Sequence, residues 1–126
     1  MAALPIRVLI VEDNQTFRET LHLLFELRPE VRVVASVASG DEAPDACRTH
    51  RPDVVLMDYR MPGMNGAEAT RAVRAAWPVA RVVCLTASAN AAEMQALRDA
   101  GAADCLTKDQ ELDAIVGAIT RAAGHG

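Results

Sequence analysis

Residues 54–66 read Val54-Val55-Leu56-Met57-Asp58-Tyr59-Arg60-Met61-Pro62-Gly63-Met64-Asn65-Gly66. Four apolar residues run straight into an aspartate, and a Pro-Gly turn and an Asn-Gly pair follow. The apolar run does not alternate with polar residues, so it reads as a strand covered on both faces. A carboxylate at the end of such a strand emerges where parallel α/β sheets place their ligands. Taken alone, Asp58 is better read as the cap of a turn. The ends of the other strands decide between the two readings.

Upstream, Ile6-Arg7-Val8-Leu9-Ile10-Val11 is a strand that ends in Glu12-Asp13-Asn14. Phe17, Leu21, Leu24 and Phe25 stand at helical spacing and predict a first helix, which Arg28-Pro29 stops. Residues 31–36 are a second strand. Ser39-Gly40-Asp41-Glu42 has the form of a capping box that opens a second helix. Pro44 falls in its first turns, which predicts a short or late-starting helix. Arg51-Pro52-Asp53 turns into the central strand.

Downstream, Asn65-Gly66-Ala67-Glu68 is a second capping box, opening a third helix that reaches Trp77 and stops before Pro78. Arg81-Val82-Val83-Cys84-Leu85-Thr86 is the fourth strand. Asn90-Ala91-Ala92-Glu93 caps a fourth helix with Met94 and Leu97 inward, ended by Gly101. Residues 104–108 form a short fifth strand. Leu112, Ile115, Val116 and Ile119 give the fifth helix one apolar stripe. Five strands alternating with five helices predict a parallel sheet covered on both faces, with right-handed crossovers.

The 126 residues suit one domain over 1–126 and suffice for a core without staples. Apolar residues make up 51% and charged residues 24%, an ordinary globular balance. Aromatic residues are only 3%, so the core must rest on Val, Leu, Ile and Ala. A net charge of −4 leaves no basic footprint for direct nucleic-acid binding. No apolar run approaches the roughly 20 residues that span a bilayer, and no signal-peptide pattern opens the chain. Cys47, Cys84 and Cys105 lack metal-ligand spacing and read as reduced, mostly buried thiols of a cytoplasmic protein.

The residues just past the strands make the chemistry. Strand one supplies Glu12 and Asp13, strand three Asp58, strand four Thr86 and strand five Lys108. In a parallel sheet these ends share one edge. Three crowded carboxylates repel one another, and a hard dication relieves the conflict. Magnesium takes oxygen ligands at about 2.1 Å and keeps several waters. Asp13 and Asp58 suit direct ligation, Glu12 ligation through water, and a backbone carbonyl near Arg60 a further position. A free oxygen of Asp58 then remains a usable nucleophile toward phosphorus. Lys108 neutralises phosphoryl charge and Thr86 offers a hydrogen bond. The product is an aspartyl phosphate.

These residues resemble the receiver domain of bacterial two-component response regulators. Glu12-Asp13, Asp58 within Leu56-Met57-Asp58-Tyr59-Arg60-Met61-Pro62-Gly63-Met64-Asn65-Gly66, Thr86-Ala87 and Lys108 carry the resemblance across nearly the whole chain. It implies a flavodoxin-like doubly wound α/β fold with strand order 2-1-3-4-5. It also implies magnesium-dependent transfer of phosphate to Asp58 from the phosphohistidine of a sensor histidine kinase. Lys108-Asp109 replaces the Lys-Pro of many receivers. With the Met-Pro-Gly-Met-Asn-Gly run, it resembles receivers joined to LuxR/NarL-type DNA-binding domains, whose output is transcription. Homodimerisation stays open, as does whether the chain is part of a longer regulator.

Cys105 departs from the pattern. Receivers usually carry Tyr or Phe three residues before the lysine, and that ring turns inward as the threonine moves toward the phosphate. The departure motivates an alternative, a degenerate receiver acting as a constitutive interaction module. Arg60 and Ser88 stand two residues past Asp58 and Thr86, positions that in the family flank the phosphate. Aspartate-nucleophile phosphatases usually carry an acid where Arg60 stands, which argues against a hydrolase with turnover. Tyr59 reads as rim packing, Trp77 as core or rim, and His22 and His50 as surface.

Overall fold

A computed structural model describes residues 4–87 and 90–124. The chain alternates β1 (Ile6–Val11), α1 (Gln15–Glu26), β2 (Val31–Val37), α2 (Ala43–His50), β3 (Val54–Met57), α3 (Gly66–Ala76), β4 (Arg81–Thr86), α4 (Ala91–Asp99), β5 (Asp104–Thr107) and α5 (Leu112–Ala122). The five strands form one sheet in the order β2-β1-β3-β4-β5, with every neighbour pair parallel. This is the flavodoxin-like arrangement that the resemblance to receiver domains implies.

The non-alternating runs have the cause the sequence implied. Side chains along a strand still point to opposite faces in turn, but both faces are covered. Leu9, Val11, Val55, Met57, Val82 and Cys84 pack with Ala43, Cys47, Val73 and Leu97 from α2, α3 and α4. Ile6, Val8, Ile10, Val54, Leu56, Val83 and Leu85 pack with Leu21, Phe25, Ile115, Val116 and Ile119 from α1 and α5. Two cores therefore clamp one sheet, and β3 is buried along its whole length.

Helix starts follow their caps. The Asn14 side chain accepts from the Phe17 N–H at 2.9 Å and opens α1. Asn65 and Glu68 form the expected reciprocal capping box of α3. Asn90 accepts from the Ala92 and Glu93 N–H groups and opens α4. Gly101 follows α4 with φ +106°, a left-handed geometry that favours glycine.

Two local expectations need correction. Ser39 does not cap a helix: Gly40–Glu42 is a single 3-10 turn, and the Ser39 hydroxyl bonds the Glu42 carboxylate at 2.9 Å. The helix starts later, at Ala43, with Pro44 in its first turn where the missing N–H costs nothing. Leu24 stands at helical spacing with Phe17, Leu21 and Phe25, yet it is exposed, because Leu21 and Phe25 fill the face of α1 that meets the sheet. β5 ends at Thr107, one residue earlier than expected, although Lys108 N–H still donates to the Thr86 carbonyl at 2.7 Å.

Candidate functional site

The C-terminal ends of β1, β3, β4 and β5 meet at one mouth. Asp58 is carried there by the β3 ladder, its N–H donating to the Val11 carbonyl at 3.0 Å. Glu12 follows β1, with its N–H on the Val37 carbonyl at 3.1 Å. Glu12, Asp58 and Thr86 are almost fully enclosed, at 2%, 5% and 1% exposure, whereas Asp13 is exposed. One carboxylate oxygen from each of Glu12, Asp13 and Asp58 falls within a 4.8 Å cluster.

Lys108 reaches into this cluster from the end of β5. Its Nζ lies 2.7 Å from Glu12 Oε1 and 3.4 Å from Asp58 Oδ1. Glu12 Oε2 accepts from the Asn14 N–H at 3.0 Å, so each oxygen of Glu12 has a partner. Asp58 Oδ1 also accepts from the Tyr59 N–H at 2.9 Å. Burial raises the Asp58 carboxyl most, the adjacent Glu12 carboxylate raises it further by hydrogen bond and charge, and Lys108 opposes them. The outcome is a carboxyl pushed up to about 7. Lys108 is thus paired with two of the three carboxylates, Glu12 and Asp58.

Close backbone packing holds Asp58 in place. Gly66 N–H donates to the Tyr59 carbonyl at 2.7 Å. A Cβ on Gly66 would stand 2.4 Å from the Asp58 carbonyl oxygen and 2.8 Å from Tyr59 Cα, so only glycine fits beside this loop. Thr70 Oγ1 donates to the Gly66 carbonyl at 2.7 Å and secures the first turn of α3.

The structure thus brings Glu12, Asp13, Asp58 and Lys108 together and puts Thr86 at the adjoining strand end. The Arg60 side chain instead pairs with Glu93 in the first turn of α4, at 2.6 Å. Ser88 lies outside the described residues. Tyr59 and Trp77 are half-buried, and Trp77 Nε1 donates to the Pro52 carbonyl at 3.1 Å. Cys47 and Cys84 are buried as expected, and Cys105 only half so.

Sequence reasoning missed three participants. The Phe17 ring lies under the Lys108 ammonium at 4.6 Å, a cation–π contact from a residue assigned to the core stripe. Arg18 Nη1 donates to the Glu12 carbonyl at 2.7 Å. Glu93, read only as part of a cap, is the Arg60 partner. The Phe17–Lys108 and Arg60–Glu93 contacts join elements distant in sequence, the Arg18–Glu12 contact spans six residues, and no motif signals any of them.

An open parallel sheet with a carboxylate cluster and a lysine at its C-terminal mouth defines a receiver-type α/β domain. Residues 8–120 match the response regulator receiver domain family, and the chain belongs to it. The transcriptional regulatory protein LnrK of Bacillus subtilis (strain 168) is 37% identical over 114 residues, covering 90% of this chain and 52% of that protein. The nitrate/nitrite response regulator protein NarP of Escherichia coli (strain K12) is 36% identical over 124 residues, covering 98% and 57%. The signal receiver domain of NarL from Mycobacterium tuberculosis superposes with a TM-score of 0.91 at 35% identity, covering 98% of this chain and all of that one, 100%. The similarity to LuxR- and NarL-type regulators expected from the sequence is therefore present. The chain spans about half the length of the curated relatives it matches.

Proposed function

We propose that residues 1–126 are a working receiver domain that accepts a phosphoryl group on Asp58. The observation that carries this reading is the Asp58 carboxylate itself, almost enclosed yet at the mouth, with Lys108 Nζ 3.4 Å away and two further acids beside it. An Asp58 oxygen attacks the phosphorus of a sensor histidine kinase's phosphohistidine. The P–N bond breaks, and the imidazole leaves as a neutral base after taking a proton. Lys108 sits where it can exchange Asp58 for phosphoryl oxygen, and Thr86 stands one strand over to supply a hydrogen bond.

The donor set fits magnesium. Glu12, Asp13 and Asp58 offer hard carboxylate oxygens in one 4.8 Å cluster, without nitrogen or sulfur. Asp13 and Asp58 would hold the ion directly, Glu12 through water, with the Arg60 backbone carbonyl as a further ligand. When bound, the ion neutralises carboxylate and phosphoryl charge. The chain takes up the phosphoryl group and loses it slowly, without turnover on a separate substrate.

The output is a changed surface near α4 and α5, which alters a partner or a homodimer contact. Likeness to LuxR- and NarL-type regulators supports transcription as the output, through a DNA-binding domain on the longer protein, in the cytoplasm. Cys105 favours a second reading, a constitutive interaction module, because the usual aromatic ring is absent. Beryllofluoride with magnesium, which mimics the phosphoryl group, separates the two by amide NMR. A switch shifts Thr86, Lys108 and the amides of α4 and α5. A constitutive module leaves α4 and α5 unchanged.

A further inference from the structure

Cys84 and Cys105 face each other across the β4–β5 ladder, in register. Partners in register on neighbouring parallel strands project to the same face, and both residues pack against the same core under α2, α3 and α4. Neighbouring strands lie about 4.8 Å apart. That is inside the range of about 4.4–6.8 Å over which a disulfide spans two Cα atoms. The backbone spacing of the pair is therefore within disulfide reach. Access is asymmetric: Cys84 is fully enclosed, and Cys105 is half-buried near the sheet edge.

We propose that Cys84 and Cys105 are a peroxide-responsive dithiol, with Cys105 the attacking thiol and Cys84 the resolving one. The roles follow from access: the half-buried Cys105 meets the oxidant first, and the enclosed Cys84 stands opposite it. Cys47, by contrast, sits buried in α2 with its thiol pushed up to about 11 by desolvation, and has no cysteine opposite it.

The chemistry balances with a hydroperoxide as oxidant. Cys105 thiolate attacks one peroxide oxygen, the O–O bond breaks, and the leaving oxygen takes protons to become water. Cys84 sulfur then attacks the sulfenic sulfur of Cys105, the S–O bond breaks, and the Cys84 proton leaves with the hydroxide as a second water. Two thiols lose two electrons and one peroxide gains them. A thiol reductant reverses the bond by exchange. Cys84 lies two residues before Thr86, and Cys105 three before Lys108. The disulfide therefore ties together the two strands that lead to those residues. This assignment does not depend on Asp58 being the phosphoacceptor.

The test treats the wild-type protein with excess hydrogen peroxide, alkylates the remaining thiols and digests with trypsin without reductant. Cleavage at Arg32, Arg48, Arg81, Arg98 and Lys108 puts Cys47, Cys84 and Cys105 in separate peptides, 33–48, 82–98 and 99–108. The expected product is peptide 82–98 linked to 99–108, lighter by two hydrogens, absent after dithiothreitol, with 33–48 fully alkylated. In Cys84→Ser the link is lost and Cys105 accumulates as sulfenic or sulfinic acid. Sulfinic acid on wild-type Cys105 without the link, a link through 33–48, or thiols left free after peroxide treatment would each overturn the proposal.

Discussion

Replacing Asp58 by asparagine should stabilise the metal-free protein at alkaline pH. The Asp58 carboxyl is carried from its ordinary 3.8 to about 7, chiefly by burial and by Glu12. At pH 8 the folded protein holds this carboxylate ionised at a cost of about 4 kcal/mol by linkage. Solvent at the open mouth screens part of that, so a gain of about 2 kcal/mol is the expected size. The substitution does not orphan Lys108, whose ammonium keeps Glu12 at 2.7 Å. The sign follows from proton counts. Between 3.8 and about 7 the native state binds more protons than the unfolded chain, so wild-type stability falls as pH rises through that window. Below 3.8 both states are protonated and the advantage of Asp58→Asn disappears. Urea unfolding with a chelator at pH 8 and at pH 3.5 reads this as a midpoint shift at constant slope. Magnesium at pH 8 should erase most of the gain. An Asp58→Asn midpoint no higher than wild type at pH 8, or an equal gain at both pH values, would refute the reasoning.

The other expectations are more local. Gly66→Ala drives a methyl into the Asp58 carbonyl at 2.4 Å, so unfolding should cost about 1–3 kcal/mol less and labelling by acetyl phosphate should fall; a wild-type urea midpoint would contradict it. Asn65→Ala removes the capping box of α3 and should lower stability by about 1 kcal/mol, with faster amide exchange in the first turn of α3. Lys108→Met withdraws the one charge that opposes the rise of Asp58, so carboxyl titration followed by NMR should move further upward. Arg60→Ala breaks an ion pair whose arginine is exposed, and stability should change by less than about 1 kcal/mol.

Most of the fold was legible because the strands are buried on both faces. That produces uninterrupted runs such as Val54–Met57, and the breaks between them fall at real turns and caps. The site was legible in outline because Glu12, Asp58, Thr86 and Lys108 each sit at or just past the end of a run. What was hidden depended on competition between side chains. The spacing of Ser39 and Glu42 suggests a cap, but the carboxylate takes the hydroxyl and the helix begins after both. Leu24 matches the helical stripe, yet the sheet takes only one face of α1, which Leu21 and Phe25 fill. Sequence could gather acids and a lysine at one mouth. It could not show that Lys108 leans on Glu12 and Phe17, or that Arg60 closes on Glu93.

The most direct test of Asp58 as phosphoacceptor is intact-mass spectrometry after incubation with acetyl phosphate, with and without magnesium. The account predicts a gain of one phosphoryl group that requires magnesium and is absent in Asp58→Asn. A gain that persists at the wild-type level in Asp58→Asn, or that ignores magnesium, would contradict it.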